Sequence, residues 1–201
     1  LAYKALNEFK ETIPQAILIA GGSHPSIMFE EVFKNSPIDF VFRGECETSF
    51  PIFIEHFINR TQGYFETPGL VYKHGSELGV NPLDPFEKDL DSFPWPSWEI
   101  VDIWKYPGMP YRKSHPYLGV VVSRGCPFRC TFCSVPIWKI FGKPSFRARS
   151  VENILEEIVY LYNRGVRELR LWCEELNTRS TWTKDLMRGI ISLSYKDLFI
   201  N

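Results

Sequence analysis

Cys126, Cys130 and Cys133 lie in the run Ser123-Arg-Gly-Cys-Pro-Phe-Arg-Cys-Thr-Phe-Cys-Ser134, at the spacing C-x3-C-x2-C. Iron–sulfur clusters are held by cysteine thiolates, and a cubane cluster with four irons takes one thiolate per iron. Three close thiols with no obvious fourth therefore leave one iron open. Gly125 and Pro127 suit a loop that curls around a compact cofactor and turns several sulfurs inward. A zinc site is the competing reading, but structural zinc takes four sulfur or nitrogen ligands, commonly as spaced pairs. A disulfide framework is weaker still, because such domains are small and cysteine-dense, and five cysteines among 201 residues fit neither condition. Cys46 and Cys173 stand far from the triplet. Each reads as a small buried residue, with Cys173 left open as a fourth ligand in a metal-binding or electron-transfer module.

At these residues the sequence resembles the radical SAM superfamily, whose members carry C-x3-C-x-aromatic-C after the first strand of a (β/α) barrel. Phe132 fills the aromatic place. The resemblance implies a [4Fe–4S] cluster on Cys126, Cys130 and Cys133, with S-adenosylmethionine chelating the open iron and Phe132 beside the nucleoside. It implies reductive cleavage to a 5′-deoxyadenosyl radical, an electron donor such as flavodoxin or ferredoxin, and a small-molecule substrate. Relatives that bind cobalamin usually show an acidic pair after the second strand, followed by an aromatic residue. This chain has Cys173-Glu174-Glu175-Leu176 there, and Glu174 is the candidate contact to the nucleoside's ammonium or ribose. A solvated acidic turn is the other reading of Glu174. Arg147 and Arg149 can clamp a carboxylate or phosphate, although a solvent-facing role before a helix is the favoured expectation.

The elements that must position this loop follow from periodicity. Leu118-Gly-Val-Val-Val122 is a short apolar run that reads as a buried strand delivering the cysteines. Ser150 is placed to cap a helix carrying Ile154, Leu155, Ile158, Leu161 and Tyr162 on one stripe. Glu168-Leu-Arg-Leu-Trp172 reads as a second strand, residues 181–194 as a second helix, and Leu198-Phe-Ile200 as the start of a third strand. Acids at the end of that second strand matter because the C-terminal ends of barrel strands face the active site.

Upstream, residues 1–11 place Leu1, Ala5, Leu6 and Phe9 on one helical face. Ala16-Ile-Leu-Ile-Ala20 is a continuous apolar run ending in Gly21-Gly22, as expected of a parallel strand covered on both sides. A short helix over 25–34, a strand over 39–42 and a helix over 47–60 with a Phe50, Phe53, Ile54, Phe57 and Ile58 stripe complete a helix–strand alternation. Such alternation implies a doubly wound sheet with ligand-facing loops at its strand ends. The turns Gly21-Gly22-Ser23-His24-Pro25 and Gly44-Glu45-Cys46-Glu47 resemble those of the cobalamin-binding domain that precedes many radical SAM barrels. By that resemblance Gly21, Gly22, Gly44, Glu45 and Glu47 contact cobalamin, glycines letting the backbone approach a large flat cofactor. A plain strand-to-helix turn is the competing reading of Gly21-Gly22, and His24 is read as solvated rather than as a cobalt ligand.

Between Gly63 and Pro116 prolines recur and apolar runs are short, as in a connector with a small hairpin near Gly69 to Pro82. Trp95 and Trp98 sit among prolines and acids, so they are expected to pack between domains rather than stack on bases. With 23 basic against 24 acidic residues there is no net basic field to draw nucleic acid. No apolar stretch approaches the length of a bilayer span, and the chain reads as soluble and cytoplasmic. It begins at Leu1 and stops at Asn201 as a third strand starts, so a fragment is expected, inactive in isolation. The fold class is α/β: the C-terminal part of a Rossmann-like cobalamin-binding domain (1–62), a Pro-rich connector (63–116) and the first βα units of a radical SAM partial barrel (117–201). The implied activity is cobalamin-dependent methylation of an unreactive carbon, with ring closure or rearrangement as the variants.

Overall fold

In the computed structural model, residues 2–106, 110–135 and 145–201 are described, and they form two compact units, 1–86 and 87–201. Leu1 of the first helical stripe and Pro107 of the connector lie outside the described residues.

In the first unit, α1 (Ala2–Thr12) leads to β1 (Ile19–Ala20), α2 (Ser23–Ile27), α3 (Phe29–Asn35), β2 (Phe40–Phe42) and α4 (Ser49–Ile58). A hairpin, β3 (Leu70–His74) and β4 (Glu77–Val80), closes the unit. The sheet order is β1-β2-β3-β4. Only β1 and β2 run parallel, while β2–β3 and β3–β4 are antiparallel, so the sheet is mixed rather than wholly parallel. The hairpin expected in the connector therefore belongs to this sheet, in register Phe40 opposite Tyr72.

Alternation along β2 and β3 builds two cores. Val41 and Val71 face Leu18, Val32, Phe33 and Ile38, with Tyr3 and Leu6 of α1 packed alongside. Phe40, Phe42 and Leu70 face Phe53 of α4. Phe53 stands edge-on to Phe40 and Phe42 at 5.0 and 5.2 Å between centroids, the arrangement aromatic quadrupoles favour. The stripe expected on α4 is narrower than its sequence suggests, since Ile58 is exposed at the helix end. The β1 run also departs from expectation. Ile17 and Ile19 are 47% and 37% exposed, because β1 is the sheet's edge and only the Leu18 side is covered. The helix expected over 25–34 is two helices that meet at Met28, whose ψ of 33° leaves the helical region.

In the second unit, β5 (Tyr117–Val121) is followed by β6 (Ser123–Gly125), β7 (Phe146–Ala148), α5 (Val151–Asn163), β8 (Glu168–Trp172), α6 (Ser180–Ser192) and β9 (Phe199–Ile200). The parallel sheet has the order β5-β8-β9, and β6 pairs antiparallel with β7. These are two successive βα units and the start of a third strand. The Ser150 hydroxyl accepts from the Asn153 N–H at 3.1 Å, which caps α5 as its sequence implies. Ile154, Ile158 and Leu161 of α5 join Leu118, Val120, Leu169 and Leu171 in one core.

The stretch 87–106 packs within this second unit. Trp98 donates from its indole to Glu157 at 3.0 Å and Trp95 to Asn153 at 3.2 Å, so both tryptophans pack on α5. Arg149 is also turned inward. Its guanidinium donates to Glu157 at 2.6 Å, to the Val121 carbonyl at 2.8 Å and to Asn153. Arg147 is buried too and donates to the Glu87 carbonyl at 2.8 Å. The solvent-facing expectation for both arginines fails because β7 turns them toward carbonyls and a carboxylate that need donors, and buried charge is tolerated only when paired.

Candidate functional site

β5 and β8 are parallel neighbours with Val121 opposite Trp172, so whatever follows them emerges at one edge of the sheet. From β5 comes the cysteine loop, and from β8 comes Cys173-Glu174-Glu175. The Val122 N–H donates to the Trp172 carbonyl at 3.0 Å, one step beyond the strand pairing. After that step the chain leaves β8 to pair with β7. Gly125, at the end of β6, has φ of 80°, a region open to glycine and strained for other residues. A Cβ there would lie 2.3 Å from the Ser145 carbonyl oxygen. Glycine is therefore required by both torsion and space immediately before the first cysteine.

Past Gly125 the loop is open. Cys126 is half-buried, while Cys130 and Cys133 are exposed, and none of the five cysteines is disulfide-bonded. The Cys133 N–H donates to the Cys130 carbonyl at 3.2 Å, which closes a tight turn between the second and third thiols. Phe132 is 91% exposed beside them. Among the described residues, no three His, Cys, Asp or Glu side chains are gathered closely enough to hold a metal ion. The three thiols thus share one loop, with Cys130 and Cys133 exposed. Three free thiols suit iron–sulfur ligation, which takes soft thiolate donors.

Cys173 is half-buried. Burial pushes its thiol above the ordinary range and the Glu174 charge adds to this, against a partial offset from the Ser123 hydroxyl that faces it. Glu174 reaches back to the cysteine loop, its Oε2 accepting from the Gly125 N–H at 3.0 Å. Glu175 serves its own turn by accepting from the Asn177 N–H at 3.0 Å.

In the first unit the two glycine-bearing turns follow β1 and β2, which are parallel and adjacent. Ser26, which sequence reasoning did not single out, stitches them together. Fully buried, its hydroxyl accepts from the Gly44 N–H at 3.0 Å, and its carbonyl accepts from Arg43 Nε at 3.2 Å. Burial also lowers the pKa of Arg43 from its ordinary value. The legible signal for Ser26 was a hydroxyl inside the first turn of a helix, a place where such groups bond locally.

Gly22 has φ of 92°, and nothing lies within 4 Å of the position a Cβ would take. Gly21 meets only ordinary contact with the Phe42 carbonyl at 3.7 Å. That bare backbone edge suits the close approach of a flat ligand. Gly44 differs: its φ is 79° and Leu83 fills the Cβ direction at 3.1 Å, so torsion and packing already account for the glycine. Glu45 is half-buried and Glu47 exposed. His24 is held by α1, with Nε2 2.9 Å from the Tyr3 hydroxyl, which itself donates to Glu31 at 3.1 Å.

Residues 120–192, which carry the glycine-led cysteine triplet at the C-terminal edge of parallel βα units, match the model of the Radical SAM superfamily. The chain is 32% identical over 173 residues to an uncharacterized methyltransferase of Pyrococcus horikoshii, a stretch covering 84% of this chain and 35% of that protein. It is 31% identical over 169 residues to the anaerobic magnesium-protoporphyrin IX monomethyl ester cyclase of Cereibacter sphaeroides, covering 81% of this chain and 26% of the cyclase. Among solved structures, the cobalamin-dependent S-adenosylmethionine radical enzyme OxsB, with aqua-cobalamin and S-adenosylmethionine bound, superposes with a TM-score of 0.70 at 23% identity. That superposition covers 94% of this chain and 27% of OxsB, and it shows a shared fold. The chain spans roughly a quarter to a third of the length of these curated relatives.

Proposed function

We propose that this chain is the cofactor-loading part of a cytoplasmic radical SAM enzyme that uses cobalamin to methylate an unreactive carbon of a small molecule. The observation that carries the reading is the C-x3-C-x2-C loop behind Gly125, set at the C-terminal edge of β5 and β8 within the matched residues 120–192. Cys126, Cys130 and Cys133 would hold a [4Fe–4S] cluster. When bound, such a cluster with an open iron supplies one electron for reductive cleavage of S-adenosylmethionine.

The protein's own contribution is placement. Gly125 turns the chain so that Cys126 leaves the sheet edge half-buried while the other two thiols stay accessible to incoming iron. Phe132, beside Cys133, offers an apolar face to the nucleoside. The acidic turn at Glu174 suits the ammonium or ribose of the same molecule. In the first unit, the bare edge at Gly21 and Gly22 would lie against cobalamin, with Glu45 and Glu47 near its polar periphery. Methyl transfer is favoured by the methyltransferase relative, and ring closure by the cyclase. An electron donor such as flavodoxin or ferredoxin would serve the cluster. Among the described residues no helix is long and apolar enough to cross a membrane, and all five thiols are free, as in reducing compartments.

Anaerobic reconstitution with iron and sulfide, followed by EPR of the reduced protein with and without S-adenosylmethionine, tests this reading. A reduced-cluster signal that changes on adding S-adenosylmethionine, and that persists in Cys173→Ala, is expected. A cluster indifferent to the nucleoside, or one lost with Cys173, would overturn it in favour of a four-ligand metal module.

A further inference from the structure

We infer that Glu174 is a positioning residue for the cysteine loop, holding the backbone from which Cys126 departs; the inference rests on the cluster reading above. β5 and β8 are zipped from Tyr117 opposite Glu168 to Val121 opposite Trp172, and the Val122 N–H extends the zipper to the Trp172 carbonyl. Beyond Val122 the backbone turns away to pair with β7. The Glu174 side chain reaches across from the end of β8, its Oε2 accepting from the Gly125 N–H at 3.0 Å.

Two restraints therefore converge on one residue. Ser145 and the positive φ fix the turn of Gly125 from the β7 side, and Glu174 fixes its N–H from the β8 side. Cys126 follows directly and is the one thiol of the three that is half-buried. The carboxylate has two oxygens and about four acceptor sites. Oε2 on Gly125 thus leaves acceptor capacity on the same group for the ammonium or ribose of a bound nucleoside, which would couple nucleoside binding to the placement of Cys126.

The test uses the full chain with Glu174→Ala, Glu174→Gln and, as control, Glu175→Ala, which removes a contact confined to its own turn. Two quantities are read: hydrogen exchange of the Gly125 amide in cofactor-free protein, and the rate at which reconstituted protein gives up iron to a chelator. A hydrogen bond to a charged group corresponds to a factor of about ten. Glu174→Ala is expected to speed both by that factor. Glu174→Gln keeps an acceptor oxygen and is expected to restore both to within about threefold of wild type. Glu175→Ala is expected to match wild type.

Unchanged rates in Glu174→Ala, failure of Gln to rescue, or an equal effect of Glu175→Ala would each overturn the inference. Wild-type protein that takes up no cluster would overturn the cluster reading instead. The Gly125 exchange measurement would then still decide whether Glu174 holds this backbone.

Discussion

Replacing Gly125 by alanine puts the torsional and steric argument for the cysteine loop to its sharpest test. The residue has φ of 80°, and its added Cβ would sit 2.3 Å from the Ser145 carbonyl oxygen, where real Cβ contacts essentially never fall below 3.0 Å. Left-handed backbone costs a non-glycine residue roughly 1–2 kcal/mol. The clash is with backbone, so β6 and β7 must part by about 0.7 Å, a shift worked from that shortfall. Losing one ladder hydrogen bond adds roughly 1 kcal/mol, giving a local cost of about 2–3 kcal/mol. Because the strain sits at the end of a two-stranded ribbon, it is expected to open that ribbon and leave the β5-β8-β9 sheet intact. Hydrogen exchange is the assay: the Gly125 and Phe146 region should exchange on the order of 30-fold to 150-fold faster, while the Leu169 and Leu171 amides hold their rates. Reconstituted iron per chain should fall in parallel. Wild-type exchange at Gly125 together with wild-type iron content would refute the claim that torsion and Ser145 govern this turn.

Two further outcomes follow from the second unit. Glu157→Ala strands the buried Arg149 guanidinium and the Trp98 indole, and urea unfolding should show a loss of about 3–5 kcal/mol; a loss below about 1 kcal/mol would show that the pair is solvated. At the opposite end of β8, burial pushes the Glu168 carboxyl up, but the Ser114 N–H, the Asn201 amide, the Lys113 N–H and the Arg112 charge outweigh it and hold the group below its ordinary value. Its ionised form is therefore favoured by folding, so its contribution is complete above the unfolded carboxyl pKa, near pH 4.5, and disappears as pH falls through the lower folded value. Glu168→Gln should cost about 2 kcal/mol at pH 7, with the difference from wild type narrowing below about pH 4.5; a difference independent of pH would contradict this linkage.

Much of this protein was legible as linear pattern. The cysteine spacing, the strands around Leu118 and Glu168, the Ser150 cap and the α5 stripe all depend on near neighbours, and local chemistry writes them directly into the chain. The hairpin near Gly69 was legible for the same reason, with Gly75 at its turn. What sequence pattern could not assign was the partner of each surface. Whether β3 pairs with β2 or stands alone, whether Ile17 is covered, and whether Arg149 meets solvent or Glu157 are decided by residues distant along the chain, and periodicity carries no information about them. Trp95 and Trp98 show this clearly, since their surroundings in sequence read as a connector while their indole N–H groups find acceptors on α5.

The site divides along the same line. The candidate ligands were legible from residue type and spacing, because thiolate chemistry belongs to cysteine wherever the loop falls. Tertiary structure alone decided that Glu174 meets Gly125 and that Ser26 joins the two glycine turns. Each is a hydrogen bond or burial relation between segments many residues apart. It exists only once the parallel pairing of β5 with β8, or of β1 with β2, has brought their ends to one edge.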